Sequence, residues 1–530
     1  MTHTATRPPS RSKSAAKTAA ATRTVSPAEK AEPIQLPPDG EVAYATPVAP
    51  KPSPSEALPE TRAPDLPHGP ASDRQEPFAS GGTAAWLSQS LWPAVTTPWS
   101  AADVGLVGGA LGLSGMANGG ASAAAFAGGP LDLPAQVRAL HSGHTLASPQ
   151  PGTPAVISFH VLEGNSQWPA YVHPEQLAYA ADGKTPELVA VGAQTRAVLL
   201  QMLAQLEEII QVRFVKVAQA QDAQLTVGSY AMSDWVAAHA FMPNGDAVGT
   251  NDSDLWLNAK TYAESGPLAA GATLPSVSPL GHANWSRTIL AHELGHALGL
   301  KHPGDYNGQG GGTPPYLEEN LDNRRFTVMS YHDFPEKSAS PLGYMLLDIQ
   351  ALQAMYGANT QTHRGNDTYR FEPGQQTVTT LWDAAGNDTL SAEGARSPVV
   401  LDLREGHFSS IGLSENIAIA YGACIENALA GEQDDTLWAN AADNQLRGGP
   451  GRDVFCFAPG TGHDTVLDFN AHEDKIDLRA YIHLTAEDLQ WQTVSTPQGD
   501  RLQLNLPGDD RIDFDTPQVL NQIRTRVELG

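Results

Sequence analysis

The feature that most constrains this chain is the segment HELGHALGLKH, which begins at His292 and ends at His302. His292 and His296 are four residues apart, so they project from one face of a helix and can hold a single metal ion. Gly299 can end that helix with a positive φ and turn the chain so that His302 reaches the same ion. Three neutral nitrogens suit Zn²⁺ with one coordination position left open for water. The segment therefore predicts a zinc site.

Glu293 lies beside the first histidine of this segment. Its carboxylate can take a proton from water activated by the metal, which makes it the candidate general base. The alternative is a buried amphipathic helix whose histidines only form hydrogen bonds. Five specified residues in register are far more than one isolated histidine pair, so the zinc site is the preferred interpretation.

The composition of the 530 residues indicates more than one folding unit, together with a part that does not fold. Hydrophobic residues make up 41% and charged residues 17%, while 49 glycines and 41 prolines indicate much loop or low-complexity sequence. The formal net charge of −26 argues against nucleic acid as a partner and favours cations. The two cysteines, Cys424 and Cys456, allow at most one disulfide bond.

Residues 1–150 are predicted to be a disordered tail or pro-segment. Their Ala-, Pro-, Ser-, Thr- and Gly-rich sequence cannot bury enough apolar surface to offset the entropy of ordering. A short helix is expected near residues 86–92. The uncharged stretch 105–129 is long enough to cross a bilayer, but its Gly, Ala and Ser content favours a flexible linker, so stable membrane insertion is not expected.

A packed domain of mixed α and β structure is predicted over residues 151–360. Residues 361–530 are predicted to be an acidic all-β module, because short apolar runs there alternate with Gly, Asn and Asp. In the first domain, strands are expected at 156–162, 214–217, 224–227 and 254–257, and helices at 193–212, 288–300 and 346–355.

The second module contains repeats. Three consecutive nonapeptides occupy 430–438, 439–447 and 448–456, and a separate copy lies at 383–391. Each copy has Asp or Asn at its sixth place and an apolar residue at its eighth. The sixth-place residues are Asp388, Asp435, Asn444 and Asp453.

The segment TVMSY at residues 327–331 follows the histidine segment, and the combination resembles the serralysin family of metzincin zinc proteases. The resemblance covers about residues 155–515 and includes LWDAAGNDTL at 381–390. It implies that Met329 lies beneath the metal as an apolar floor. It also implies that Tyr331 is an additional zinc ligand that swings away when substrate binds, and that the strand around 239–242 pairs with extended substrate along the cleft.

The nonapeptides resemble the GGxGxDxUx repeat of a parallel β-roll, in which carbonyl and Asp oxygens hold Ca²⁺ between successive turns. Two departures imply fewer or weaker calcium sites: only 448–456 has all the glycines, and Asn444 stands where an aspartate is expected. The alternative is a loop-rich β domain with solvated Asp residues. The resemblance implies calcium ligands among Asp388, Asp435, Asn444, Gly449, Gly451, Asp453, Asp464 and Asp468, with Asp474 and Asp477 in the strand region that follows.

Together these features predict an α+β metzincin-type catalytic domain followed by an all-β parallel β-roll. The predicted function is a secreted, monomeric zinc endopeptidase that hydrolyses peptide bonds of extracellular proteins, with Zn²⁺ and Ca²⁺ as cofactors. Catalysis is assigned to Glu293 and Tyr331. Two alternatives stay open: a calcium-dependent surface or adhesive protein with a non-catalytic protease-like domain, and a zinc hydrolase that acts on another kind of bond.

The resemblance also implies export in one step by a type I machinery. The first thirty residues contain no apolar run typical of a signal peptide, which agrees with such a route. Family members end in a short acidic and hydrophobic signal, whereas this chain ends RTRVELG, with Arg524 and Arg526 close by. Both cysteines follow the zinc segment, so any inhibition by the tail is expected to be steric or through another ligand such as His68 or His144.

Overall fold

The structure is a computed structural model. It describes residues 133–147, 153–163, 167–172, 179–180, 185–233, 236–243, 253–262, 282–306, 313–336, 339–372, 374, 376–497, 499–515 and 520–530. The predicted tail up to residue 132, with the helix near 86–92, the stretch 105–129 and His68, lies outside the described residues. Across the described part of the chain, no helix is both long and apolar enough to cross a membrane.

The described helices are α1 Ala135–Leu140, α2 Ala193–Ile209, α3 Ala259–Tyr262, α4 His282–Ala297, α5 Leu346–Tyr356 and α6 Leu520–Ile523. Helix α2 follows from its apolar spacing, since Leu199, Leu203 and Leu206 fall on one face and are buried. It ends at Ile209, before the predicted residue 212, because Ile210 turns extended and bridges to Ala358.

The first domain is built on one sheet with strands β1 Ala155–Val161, β2 Leu188–Val189, β3 Val212–Lys216, β4 Leu225–Tyr230, β5 Ala238–Ala240 and β6 Leu255–Asn258. The strand order is β3-β1-β4-β6-β5, with β2 paired to β4. Strands β3, β1, β4 and β6 are parallel, whereas β5 runs antiparallel to β6 at the edge. The four strands predicted in this domain are confirmed, and so is the strand around His239.

Residues 133–147 correct the predicted end of the tail at residue 150. Helix α1 buries Val137 and Leu140 in the core of the first domain, and Leu146 is only 1% exposed. The Leu146 N–H also donates to the Tyr356 hydroxyl at 2.9 Å. Composition does not predict this packing, because a few apolar side chains in a segment of small residues can complete a core that other elements have built.

The second domain contains the strands β7 Thr368–Arg370, β8 Thr379–Leu381, β9 Thr389–Ser391, β10 Val400–Asp402, β11 Phe408–Ser409, β12 Ile417–Ile419, β13 Asn427–Leu429, β14 Thr436–Trp438, β15 Gln445–Arg447, β16 Val454–Cys456, β17 His463–Val466, β18 Lys475–Asp477, β19 Gln490–Thr496, β20 Gly499–Asn505, β21 Arg511–Phe514 and β22 Val527–Glu528. One parallel sheet has the order β10-β14-β16-β18-β22. A second sheet has the order β19-β20-β21-β17-β15-β13-β9-β7 and is parallel from β21 to β7, while β11, β12 and β8 form a small third sheet.

Successive nonapeptides alternate between the two large sheets. Leu437 in β14 pairs with Phe455 in β16, whereas Leu446 of the repeat between them pairs with Ala428 in β13. These eighth-place residues are fully buried, so each repeat points one apolar side chain inward. The arrangement confirms the predicted all-β parallel domain. Cys424 and Cys456 are both free thiols.

Candidate metal centre

The three histidines of the HELGHALGLKH segment converge at the end of α4. His292 and His296 lie one helical turn apart, and His302 returns to the same point after the helix. Every pair of their Nε2 atoms is 3.0 Å apart. Gly299 permits this return, because its φ is 100° and a Cβ there would lie 2.3 Å from the His144 carbonyl oxygen.

The other ring nitrogens of the first two histidines are bound to the backbone. Nδ1 of His292 donates to the Val328 carbonyl oxygen at 2.8 Å, and Nδ1 of His296 donates to the Leu300 carbonyl oxygen at 2.8 Å. A carbonyl can only accept, so each ring keeps the tautomer that leaves a lone pair on Nε2.

Burial, with a further contribution from the neighbouring imidazoles, holds the pKa values of His292 and His296 well below the usual range. Both rings are therefore neutral at pH 7. Neutral nitrogens that converge in a buried site are the donor set that Zn²⁺ prefers. The residues thus fit the predicted metal.

Glu293 is fully buried next to the histidines, and Met329 is fully buried beneath α4. A Cβ on Gly295 would lie 2.8 Å from the Met329 sulfur, so this glycine lets the methionine pack directly on the helix. Gly295 was not singled out from the sequence. A glycine inside a helix costs roughly 1 kcal/mol relative to alanine, which is the signal that could have identified it.

Tyr331 lies alongside two of the histidines. Its ring centroid is 4.6 Å from that of His302, and it is 5.8 Å from that of His292 with the planes at 29°. The phenol is therefore close enough to the histidine cluster to support the implied role as a ligand, which stays a prediction.

Asp348 in α5 is a fully buried residue that the sequence analysis missed. Its carboxylate accepts hydrogen bonds from the Thr327 hydroxyl at 2.6 Å and from the N–H groups of Val328 at 2.8 Å and Met345 at 2.9 Å. Burial raises the pKa of Asp348 to about 7. A lone acid in the apolar sequence LLDIQAL was the available signal, since a buried carboxylate needs several donors.

The carboxylates of the roll form two ladders of hydrogen bonds. In the first ladder, Asp435 accepts the Val399 N–H at 2.8 Å, Asp453 accepts the Asp435 N–H at 2.9 Å, and Asp474 accepts the Asp453 N–H at 3.0 Å. Each carboxylate thus binds the backbone of the preceding turn. Burial raises the pKa of Asp453 to about 7 and that of Asp474 to about 6.

The second ladder runs along the other large sheet. Asp388 accepts the Asp367 N–H at 2.7 Å, Glu426 accepts the Asp388 N–H at 2.7 Å, and Asp464 accepts the Asn444 N–H at 2.9 Å. Burial raises the pKa of Asp464 to about 7. This ladder has the same direction as the first, from a carboxylate to the backbone of an earlier turn.

The surroundings of Asp453 fit a calcium ion. Within the described residues, its buried Oδ2 atom has no hydrogen-bond partner. A Cβ on Gly449 would lie 2.2 Å from the Gly431 carbonyl oxygen, and one on Gly451 would lie 2.3 Å from the Gln433 carbonyl oxygen. Backbone carbonyl oxygens and the Asp453 carboxylate thus line a repeat in which two positions admit only glycine. Oxygens of these two kinds are the ligands that Ca²⁺ prefers.

Asn444 has different surroundings. Its Oδ1 accepts the Asn440 N–H at 2.8 Å, and its Nδ2 donates to Asn440 Oδ1 at 2.7 Å and to the Glu426 carbonyl oxygen at 3.0 Å. The amide thus binds two oxygens through its own N–H groups. These contacts do not support Asn444 as a calcium ligand.

Two other acids from the sequence prediction are engaged by protein groups. Both oxygens of Asp468 accept backbone N–H groups, from Gly448 at 3.0 Å and from Gly449 at 2.9 Å. Asp477 pairs with Arg479 at 2.5 Å, and this hydrogen bond is the main reason that its pKa lies below the usual range. Asp468 therefore holds the turn of the repeat that has all the glycines, whereas Asp477 lies in an ion pair.

The sequence predicted only Asp388 from a second group of three acids. Oxygens of Asp367, Asp383 and Asp388 lie within 4.8 Å of one another. Burial and the charge of Asp388, opposed by a hydrogen bond from Tyr369, raise the pKa of Asp383 to about 7. The sequence carried a signal for Asp367, because GNDT occurs at both 365–368 and 386–389, and the two copies stack through β7 and β9.

A helix that presents two histidines, a third histidine after a glycine turn, and a buried methionine below them define the class of metzincin-type zinc proteases. Two family models match the chain: Matrixin over residues 170–308 and Peptidase M10 serralysin C terminal over residues 346–514. The chain belongs to the serralysin family.

Individual relatives agree with this assignment. Serralysin of Proteus mirabilis is 36% identical over 270 residues, which cover 45% of this chain and 52% of the relative. Metalloprotease AprA of Pseudomonas entomophila (strain L48) is 31% identical over 344 residues, which cover 55% of this chain and 67% of the relative. The chain spans about half to two thirds of the length of these relatives.

Proposed function

We propose that the chain is a secreted zinc endopeptidase that hydrolyses peptide bonds of extracellular proteins. The observation that carries the proposal is the convergence of three Nε2 atoms, each 3.0 Å from the others, beside the fully buried Glu293. A calcium-dependent adhesive protein with a non-catalytic domain has no chemical need for a buried carboxylate at this position.

Bound zinc would polarise the scissile carbonyl and lower the pKa of the attacking water. His292 and His296 would hold the zinc through their Nε2 lone pairs, which stay available because backbone carbonyls bind their Nδ1–H groups. Glu293 takes the proton of the attacking water and then delivers it to the leaving amine nitrogen. Tyr331 would serve as a further ligand of bound zinc and would withdraw when substrate binds.

The edge strand β5 supports a peptide substrate over another kind of hydrolysable bond. It pairs with β6 on one side and is the last strand in the sheet order of the described residues, so its other side can add an extended peptide. Backbone hydrogen bonds of this kind hold a chain of any sequence, and pockets for alternate side chains then give specificity.

The remaining assignments concern the roll and the route of export. Calcium is proposed to stabilise the C-terminal domain through the carboxylates and carbonyls of the two ladders, including Asp388 and Asp453. The enzyme is proposed to act as a monomer and to leave the cell by a type I machinery. A chain that folds only where calcium is abundant suits export in an unfolded state.

The test is digestion of casein by the zinc-loaded full chain, with and without a zinc chelator. Glu293→Ala should abolish digestion while zinc stays bound, with a rate loss on the order of a thousandfold or more. Glu319→Ala, which removes an exposed acid, is the matched control and should digest like the natural chain. Digestion that persists in chelator, or equal activity of Glu293→Ala, would overturn the proposal.

A further inference from the structure

Tyr306 lies in the aromatic cluster around Tyr331. The two tyrosine rings are stacked, with their centroids 4.8 Å apart and their planes at 27°. The Tyr306 ring also lies 5.7 Å from the His302 ring. Tyr306 therefore contacts both the third histidine and the tyrosine beside it.

The Tyr306 ring is anchored through its hydroxyl. This group donates to Asp322 Oδ1 at 2.6 Å, and Asp322 is only 7% exposed. A short hydrogen bond to a buried carboxylate is among the stronger contacts available to a phenol. The anchor fixes the plane that Tyr306 presents to Tyr331.

The same aspartate holds the residues on either side of Tyr331. The Ser330 hydroxyl donates to Asp322 Oδ1 at 2.6 Å, and the His332 Nδ1–H donates to the Asp322 carbonyl oxygen at 2.8 Å. The side chains before and after Tyr331 are thus both bound to Asp322. Rotation of the Tyr331 side chain is then the motion that carries its hydroxyl toward the histidines or away from them.

Gly304 allows the Tyr306 ring to approach the backbone closely. A Cβ at this position would lie 2.1 Å from a carbon of the Tyr306 ring and 2.7 Å from Asp322 Oδ2. The ring therefore packs against the chain at residue 304, and a side chain added there would have to displace it.

We propose that Tyr306 is a positioning residue that holds Tyr331 toward the metal by stacking, and thereby sets how readily Tyr331 withdraws. The inference rests on the proposed role of Tyr331 as a metal ligand in a zinc protease. Stacking of this kind changes the ratio of metal-facing to withdrawn Tyr331 by about two- to tenfold. Without the Tyr306 ring, a ligand that competes with Tyr331 for the metal should displace it more easily.

The test uses the full chain loaded with Cu²⁺ in place of zinc, because a phenolate bound to Cu²⁺ gives a visible charge-transfer band. Tyr331→Phe should abolish the band and thereby assign it. A peptide hydroxamate is then titrated in, and the concentration that removes half of the band is measured. In Tyr306→Leu this concentration should fall by about two- to tenfold. In Tyr306→Phe, which keeps the ring but loses the bond to Asp322, the concentration should fall by less.

Tyr316→Phe is the matched control, because it also removes a phenol that donates to an aspartate, Asp305, at 3.2 Å. It should behave like the natural chain. Copper content and circular dichroism establish that each variant is folded and loaded. If Tyr306→Leu does not fold, the hydroxamate concentration is compared in Tyr306→Phe and Gly304→Ala instead.

The inference would be overturned if the folded Tyr306 variants and Gly304→Ala needed the same hydroxamate concentration as Tyr316→Phe to lose half of the band. The absence of a Tyr331-dependent band in the natural chain would also overturn it, and casein digestion that depends on Glu293 would then leave the protease proposal intact. If the hydroxamate concentration falls as expected in the Tyr306 variants, but the natural chain shows no zinc-dependent digestion, the role of Tyr306 is supported and the protease proposal is rejected.

Discussion

The Asp348 carboxylate accepts the Val328 N–H at 2.8 Å, and the Val328 carbonyl oxygen accepts the His292 Nδ1–H at the same distance. Both polar groups of one turn residue are therefore used to connect a buried acid of α5 with the first histidine. Outer-shell bonds of this kind orient a metal ligand and fix its tautomer. The helix after the site thus helps to determine the geometry of the site itself.

Asp348→Asn should weaken both the fold and the metal site. An amide has one acceptor oxygen, so it cannot satisfy the three donors that now bind both carboxylate oxygens. We expect the free energy of unfolding to fall by about 1–3 kcal/mol and zinc affinity to fall by about 10–100-fold. Thermal unfolding and competition with a zinc chelator measure the two effects. Asp333→Asn is the control, since the Asp333 side chain is 47% exposed. Unchanged zinc affinity in Asp348→Asn would contradict a link from Asp348 through Val328 to His292.

Removal of residues 1–132 should leave a stable enzyme, whereas removal of residues 1–147 should not. The longer deletion takes away Val137, Leu140 and Leu146, which are buried in the core. Loss of their burial should lower the free energy of unfolding by about 4 kcal/mol or more. Urea unfolding of the two truncated chains measures the difference. Equal stability would show that α1 does not contribute to the core.

Asp453→Ala should raise the calcium concentration needed to fold the roll. The substitution removes the free oxygen that fits a cation and the acceptor of the Asp435 N–H. Asn444→Ala should lower stability to the same extent with and without calcium, because the Asn444 amide binds only protein groups. Circular dichroism during a calcium titration of the full chain separates the cases. A shift of the midpoint in Asn444→Ala as large as that in Asp453→Ala would refute the distinction.

Without calcium, the roll should become less stable as the pH rises from about 4 to about 7. The folded roll holds Asp453 and Asp464 at a pKa of about 7 because they are buried, whereas an unfolded Asp has a pKa of about 3.9. Between these values the folded state binds more protons than the unfolded state, so the free energy of unfolding falls with rising pH. Urea unfolding of the calcium-depleted chain at pH 5 and pH 8 tests this. Greater stability at pH 8 would contradict it.

The spacing of residues along the sequence was sufficient to predict the features that depend on nearby positions in the chain. His292, His296, Gly299 and His302 form the predicted triad because a helical turn and a glycine turn are local structures. The eighth-place apolar residues of the repeats are buried for the same reason. The start of α4 at His282 was missed, since the segment GHANWS before residue 287 has no apolar period.

Contacts between residues that are far apart in the chain could not be predicted from spacing. The bond from Thr327 to Asp348 spans 21 positions, and the partners of Asp322 lie on two separate segments. Polar residues of this kind look like ordinary surface residues until the fold brings them together. The role of α1 was missed for a related reason, because its burial depends on a core that other segments supply.

The ladders of the roll have a direction, and the direction makes its turns unequal. Asp474 binds the backbone N–H of Asp453, and Asp453 binds that of Asp435, so in the first ladder each of these N–H groups is bound by a carboxylate that follows it in the chain. A chain cut from its carboxyl end loses the acceptor for its last remaining turn, and each further cut exposes the next. A chain cut from its amino end keeps the carboxylate acceptors of the ladder bonds in its remaining turns. The first ladder therefore depends on the carboxyl-terminal part of the roll, because Asp474 supplies its last acceptor.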